Sequence, residues 1–527
     1  LRGVLFCKNK KVIRFLKKLR RKCKLYENNE MEDSAVDQSS QDSSVVEMDN
    51  SGSVLHKIAN LYAEQLMSDI CIVVGKNRYP AHRVILCASS EVFQVMLMNS
   101  EWSESRESVI ELKEDPCCSM VFPQFLKYLY VGQIRISLQT VMPMLALADK
   151  YNIKDLVQLC VDYMMKHIAK AATQGYLVSW LQYTISFSPY HQEVTDACQH
   201  FMKWNLDIVA DSKDFVDLDV NILIVLLQQN DLVLKSEFEL FTYLEKWLMY
   251  RKQQIDLEAS ASPEDVAHQV QQLLEATVSH IRFAMMTPHE LANLLLRPIV
   301  SINKAFFVDL IAIGMSYHSG QEERVAEIRQ TDGGQLQFTP RLYTTDVWGL
   351  SMSITKFEKF EDFQNVAGLF FSKSNLSEFQ EDQTVTWELD FFPRGIRFNR
   401  AKLIYVYNIN AQGVDIPEAI LKTIRLRVTC KDEHLKGEQR FKIGVLITGV
   451  QNQITHIRTV HERVHYFSRC NRVLNIDNLL PYEELELCSI KLSPHLTGDD
   501  RDTLTIQVII APMGPYVCHE TPAFDFK

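Results

Sequence analysis

The sequence predicts a multidomain protein in three parts: an α+β domain, an all-α domain and a C-terminal antiparallel β-sandwich. Three observations carry that expectation. The chain has 527 residues, too many for a single hydrophobic core. From about Ile168 to Ser319 apolar residues recur at helical spacing. After Gly334 the period of the pattern switches from 3.6 to 2.

Composition narrows the class. Hydrophobic residues make up 46% and charged residues 23%, as in globular proteins. A net charge of -10 and a pI near 5.9 argue against nucleic acid as the main partner. No apolar run is long enough to span a bilayer, so no membrane role is expected. The twelve cysteines are scattered; Cys71, Cys87, Cys160, Cys198 and Cys430 lie within apolar patterns. Only Cys117 and Cys118 are close together, and adjacent residues do not readily bridge or chelate. This usage predicts free thiols and a reducing, cytoplasmic setting. A single sequon, Asn375-Leu376-Ser377, is weak support for secretion.

Residues 1–52 read as a disordered charged tail. Residues 1–24 carry eleven Lys or Arg and no acid, and residues 27–50 carry eight acids and no base. The competing reading is a basic amphipathic helix, since Val12, Ile13, Phe15, Leu16 and Leu19 interleave with lysines. The chain opens on Leu1, which leaves Met31 as a candidate start.

Residues 53–166 form the α+β domain. Ile70 to Val74 is a five-residue apolar run, expected as a strand buried on both faces. Gly75-Lys76-Asn77-Arg78 supplies the turn after it. Ser90 is a candidate N-cap for a helix carrying Val92, Phe93, Val95, Met96 and Met98. Val109, Ile110 and Leu112 make another short strand. Phe122, Phe125, Leu126 and Leu129 share a helix face that stops at Gly132.

Residues 167–320 read as an antiparallel helical array. Phe238, Phe241, Leu244, Trp247 and Leu248 mark its strongest amphipathic helix, with Ser236 as candidate N-cap. Residues 321–334 read as a polar linker. Residues 335–527 then alternate: Val385, Trp387, Leu389 and Phe391, later Ile424 to Cys430, Phe441 to Ile447, and Leu504 to Ile510. Each run is a half-buried antiparallel strand, and together they predict a sandwich. No propeller-blade repeat is present.

The α+β region resembles the BTB/POZ domain. The matching residues are Ser68-Asp69-Ile70, Ala81 to Leu86, Ser89-Ser90, Phe93, Met96, Phe125, Tyr128, Tyr130, Gly132 and Ala148 to Tyr151. The helical array is similar to a BACK domain through Leu226-Leu227, Asp231-Leu232, Ser236-Glu237 and Phe241 to Trp247. The sandwich resembles the TRAF-like (MATH) fold, on Trp387-Glu388-Leu389 and Gly395-Ile396. The whole order resembles BTB relatives of galectin-3-binding protein, some of which carry a signal peptide; none is expected for this sequence.

The resemblance implies a dimeric adaptor that joins the scaffold cullin 3 of a ubiquitin ligase to a protein substrate. It implies that a hydrophobic-x-Glu motif after the Phe93-to-Met96 helix contacts the cullin. Trp102-Ser103-Glu104 stands at about that place, with Met98 nearby. An exposed tryptophan beside a glutamate suits a partner groove; the competing reading is that Trp102 caps its own helix. Asp69 and Arg83 match a charged pair near the family's dimer interface, or form a salt bridge internal to the fold. His82 is expected as a satisfied, partly buried histidine. Trp387, Phe391 and Arg394 are candidates for a substrate-peptide face, or for core.

One enzyme-like motif competes. His461-Glu462-Arg463-Val464-His465 is a literal HExxH, which on a helix holds zinc with the glutamate as base. Its setting among alternating strand patterns argues for a chance match. On a strand the two histidines stand ~13 Å apart, too far to share one metal. No phosphate loop is present. The expectation is therefore an adaptor with no catalytic residue, no cofactor and no metal. A BTB scaffold without a cullin, or a secreted relative, are the remaining alternatives.

Overall fold

The computed structural model describes residues 50–187, 190–258, 263–331, 333–380, 384–396, 422–432, 435, 437–486 and 493–514. The tail reading for residues 1–49 lies outside these described residues. The chain divides into two bodies, residues 1–67 and residues 68–527. In the first, Ser51–Glu64 is a helix with no buried residue, closed by Gln65 in the left-handed region at φ 52°.

The second body begins with strand β1 (Ile70–Val74), which turns at Gly75 (φ 60°) into β2 (Asn77–Ala81). Strand β3 (Val109–Leu112) pairs parallel to β1, giving the order β2-β1-β3. Ile70, Ile72 and Val74 are buried while Cys71 and Val73 are half-buried, so only one face of β1 is fully covered. Pro80 sits on the edge strand β2, where a missing N–H does no harm. Ser90 caps the Glu91–Met98 helix: its Oγ accepts from Phe93 N at 3.1 Å and donates to Tyr151 O at 2.6 Å. Phe93 stacks on Tyr151 with centroids 4.5 Å apart, beside Phe122 and Phe125. His82 is buried, with its backbone N–H donating to Tyr130 Oη at 2.9 Å and its Nδ1 at the same distance.

A long helix, Lys154–Gln174, runs out of this domain into the helical array. It breaks geometry once, at His167 (φ −129°, ψ 17°). The array continues through Leu177–Ser186, Gln192–Trp204, Val220–Gln228, Glu237–Glu258, Pro263–Val278 and Lys304–His318. Ser236 Oγ accepts from Glu239 N at 3.2 Å, as its sequence position predicts. Trp247 is fully buried and donates Nε1–H to Leu218 O at 2.9 Å. The polar stretch 321–334 carries a helix, Glu322–Gln330, whose Val325 packs with Ala284 and Phe338.

Two short strands, β4 (Val233–Leu234) and β5 (Leu342–Tyr343), pair in parallel and stitch the array to the start of the sandwich. The sandwich proper comprises β6 (Gly349–Ile354), β7 (Val366–Lys373), β8 (Thr384–Phe392), β9 (Arg425–Cys430), β10 (Gln439–Gln451), β11 (Ile454–Phe467), β12 (Val473–Ile476), β13 (Leu496–Thr497) and β14 (Thr503–Pro512). One sheet runs β11-β10-β14, with β6 and β13 both on β14. The other runs β12-β9-β8-β7, and every pair in both sheets is antiparallel. Alternate residues of β8, β9, β10 and β14 fill the space between the sheets.

The outer face of the first sheet lies on the helical array. Leu446 and Ile509 cluster with Val233 and Leu342, against Trp204, Ile457 and Val460. Beside them Lys442, almost fully buried, donates to Asn230 O (2.6 Å) and Pro340 O (3.1 Å) and pairs with Glu462 at 3.1 Å. At the β10–β11 turn, Gln451 and Asn452 reach the break in the long helix. Ala169 N donates to Gln451 Oε1 at 2.8 Å, and Gln451 Nε2 and Asn452 Nδ2 donate to Met165 O and Lys166 O at 2.9 Å each. The turn thus satisfies backbone groups that the kink leaves without helical partners.

Candidate functional site

The Glu91–Met98 helix ends with Asn99 N–H on Val95 O, and the chain then folds into a compact turn. Trp102 N donates to Asn99 O at 3.1 Å; Trp102 O accepts from Ser105 N at 3.2 Å and from Ser105 Oγ at 2.7 Å. The backbone of Trp102 therefore caps the short 3-10 helix Ser103–Ser105, while its ring remains 48% exposed. Glu104 is half-buried and accepts from Ser103 Oγ at 2.9 Å; Met98 is 68% exposed. The turn thus brings the three predicted side chains onto one short ledge.

Arg83 holds this ledge from below. Its guanidinium donates to Leu97 O and Ser105 O at 3.3 Å each, and to Glu107 O. Asp69 is exposed and accepts, through Oδ1, the backbone N–H of Arg83 at 2.8 Å. The alternative of a salt bridge internal to the fold is corrected here: the carboxylate meets the peptide N–H of Arg83, and the guanidinium binds carbonyls. A planar fork of donors fits three converging carbonyls, which no carboxylate could supply.

In the sandwich, the candidate peptide face is corrected. Trp387 is 0% exposed and Phe391 1%, both inside the core between the sheets. Alternation along β8 points both inward, and Trp387 Nε1–H donates to Ser372 Oγ at 2.9 Å. Arg394 is also buried; its Nη1 donates to Phe360 O at 2.6 Å and its guanidinium lies over the Phe357 ring at 4.9 Å. These residues hold the sandwich together and do not face a partner. The residues that do point outward are Leu369 and Phe371 of β7, both more than half exposed. Among the described residues β7 pairs only with β8, so its other edge is open. Adjacent aromatics on a strand must take opposite faces, so Phe370-Phe371 carried the signal for this patch.

The HExxH motif lies on β11, fully extended. His461 and His465 oppose Val445 and Phe441 and so share the inward face, while Glu462 opposes Gly444 on the other face. Histidine Nε2 of His461 donates to Leu479 O at 2.7 Å, and Glu462 is taken by Lys442. In a zinc peptidase a helix brings the two histidines, four residues apart, together on one metal; on this strand the same spacing holds them ~13 Å apart. Among the described residues, no cluster of His, Cys, Asp and Glu is close enough to hold a metal ion.

Comparison with known families agrees with this architecture. Residues 58–168 match the BTB/POZ domain, residues 177–261 the BACK family ("BTB And C-terminal Kelch"), and residues 338–514 the BTBD17 TRAF domain. The chain is a protein with BTB/POZ, BACK and C-terminal TRAF domains. Its relatives include BTB/POZ domain-containing protein 17 of Xenopus laevis, 26% identical over 362 residues, covering 67% of this chain and 70% of that protein. Galectin-3-binding protein of Bos taurus is 24% identical over 356 residues, covering 66% of this chain and 58% of that protein. Kelch-like protein 7 of Homo sapiens is 25% identical over 192 residues, covering 36% of this chain and 31% of that protein. The BTB–BACK architecture fits a family of cullin 3 adaptors, and protein-interaction domains account for most of the matched length.

Proposed function

We propose that this chain is a dimeric substrate adaptor of a cullin 3 ubiquitin ligase, acting in the cytoplasm and making no bonds itself. The observation that carries the reading is the ledge of exposed Met98 and Trp102 beside half-buried Glu104 on a BTB–BACK tandem. A large ring flanked by a thioether and a carboxylate supplies apolar area and a charged hydrogen-bond acceptor to a groove. Arg83 and Asp69 act next to the dimer interface, with Arg83 also setting the height of the ledge. The eight cysteines among the described residues are free thiols, which suits a reducing compartment.

The TRAF domain recruits the substrate. The open edge of β7, with Leu369 and Phe371 beside it, suits an extended peptide added as a further strand. Two sandwiches per dimer raise the effective concentration of a bivalent substrate. The test is capture of purified cullin 3 by the full chain and by Glu104→Lys. Wild type retains the cullin and the variant does not. Failure of the wild type to bind ends the ligase reading, and equal binding by both removes Glu104 from the contact.

A further inference from the structure

A cavity of about 1180 Å³ opens between the helical array and the sandwich. Small-molecule sites usually span roughly 300–1,000 Å³, so this one is large enough to admit a ligand. One wall is apolar and aromatic: Met165, Ile168, Phe201 and Trp204, from the Lys154–Gln174 and Gln192–Trp204 helices. The facing wall comes from β11, the segment Asn478–Glu486 and His495.

Arg458 is the unusual group on that facing wall. Ile447 pairs with Thr459 and Thr448 with Ile457, so Arg458 is the extra residue of a β-bulge. Bulges re-aim side chains, and this one lays the stem of Arg458 across Gly449, where an added Cβ would stand 2.7 Å from Arg458 Cδ. Among the described residues the guanidinium has no hydrogen bond and no ion pair. Burial lowers its pKa, and the carboxylate of Glu484 acts in the opposite direction. Arg458 is half-buried, and its fork of donors, with no protein acceptor among the described residues, is available to an anion that enters the cavity.

The neighbours complete a site. Trp204 Nε1, Glu484 Oε2 and His495 Nδ1 are buried and make no hydrogen bond. His495 Nε2 lies 2.8 Å from Glu484 Oε2, without the alignment of a hydrogen bond. Lys422 pairs with Glu486 at 3.1 Å, and Glu483 stands at the same rim. His456 donates Nδ1–H to Ile454 O at 3.2 Å and rests against Phe201, with centroids 5.2 Å apart.

We propose that this cavity binds a carboxylate carried on an apolar or aromatic body, with Arg458 as the anion's partner and Phe201 and Trp204 as the apolar wall. Such a group arrives either as a small free acid or as the C-terminal residue of a peptide. The inference is independent of cullin binding and of the β7 edge.

Calorimetric titration of the full chain tests it with paired probes. The first pair is 3-phenylpropionate and its amide; the second is an unstructured peptide ending in phenylalanine, with a free or an amidated C-terminus. Acids bind and amides bind at least tenfold more weakly. Binding of the peptide acid alone assigns the site to peptide ends, and binding of the small acid alone assigns it to metabolite-sized ligands. Arg458→Gln weakens the acid at least tenfold, Arg458→Lys keeps part of the affinity, and Glu484→Gln strengthens it a few-fold. Met120→Ala, on an exposed face of the BTB domain, leaves the affinity unchanged. Equal affinity for acid and amide, wild-type affinity in Arg458→Gln, or no binding at millimolar probe overturns the proposal. The Arg458→Lys variant provides the second reading should Arg458→Gln unfold.

Discussion

Arg341 and Glu237, 104 residues apart in the chain, meet in an ion pair in which Nη1 alone donates to both carboxylate oxygens at 2.7 Å, with both side chains wholly out of solvent. Glu237 opens a helix of the array; Arg341 immediately precedes β5. Tyr343 Oη donates to the same carboxylate at 2.9 Å, and Arg282 N donates to it at 3.1 Å. The guanidinium of Arg341 also reaches the Leu227, Gln229 and His280 carbonyls. With nearly every lone pair and donor matched, removing one partner leaves the other charge stranded. Arg341→Ala is expected to destabilise the protein by about 3–5 kcal/mol in chemical denaturation.

The corrected position of Trp387 gives a sharp contrast. Trp387→Ala removes the centre of the sandwich core, where its ring meets Phe441 and Phe467 edge-on at 4.9 Å. It is expected to cost about 3–5 kcal/mol. Phe371→Ala, on the open face, is expected to stay within about 0.5 kcal/mol of wild type. Denaturation midpoints of the two variants, measured side by side, separate core from surface. Similar losses for both would place Phe371 in a packed interface.

Acid pH should weaken the sandwich side of the interdomain cavity. Burial, then the charges of Arg458 and His456, lower the His495 pKa to about 4. Burial, first among its causes, also lowers His456. An imidazole whose folded pKa lies below its unfolded value near 6.5 takes up its proton more readily in the unfolded chain. Stability from this source is complete above about pH 6.5 and is lost as pH falls toward 4. Unfolding curves between pH 7.5 and 4.5 should show the decline, and His495→Gln should flatten it.

The β10–β11 turn braces the kink at His167, and its removal should be felt locally. Gln451→Ala combined with Asn452→Gly deletes three hydrogen bonds to Met165, Lys166 and Ala169. Glycine keeps the left-handed backbone at residue 452 (φ 50°). Each lost bond is worth about 1 kcal/mol, or about fivefold in opening. Hydrogen exchange across residues 165–171 should therefore accelerate well over tenfold. Gln453→Ala, one residue along the same turn, is the control that should leave exchange unchanged.

The parts that were legible in the sequence are those set by local repetition. Period-2 alternation located β8, β9, β10 and β14, and helical spacing located the array around Trp247, because both signals lie within a few consecutive residues. Ser90 and Ser236 announced their helices through capping chemistry alone. The inward turn of Trp387 and Phe391 followed from the same alternation, but alternation does not say which face a partner might use. Arg394 met its carbonyl through a fold-back from Phe360, 34 residues away, which no local pattern encodes. Likewise the bulge at Arg458 depends on how two strands slip past one another, and a single sequence carries no mark of it. The Trp102 ledge was legible as a tripeptide; its support by Arg83 was not, because the guanidinium reaches across three separate carbonyls.

The parallel pairing of β4 with β5 has a bearing on how this molecule comes apart. Val233 and Leu234 need Leu342 and Tyr343, more than a hundred positions later, to complete their two-stranded ladder. A protease cutting at Arg324 or Arg329 would sever the peptide chain without parting the fragments, which should co-elute until denatured. Recombination by shuffling exons at that point would likewise deliver two incomplete pieces, each missing one side of a shared seam.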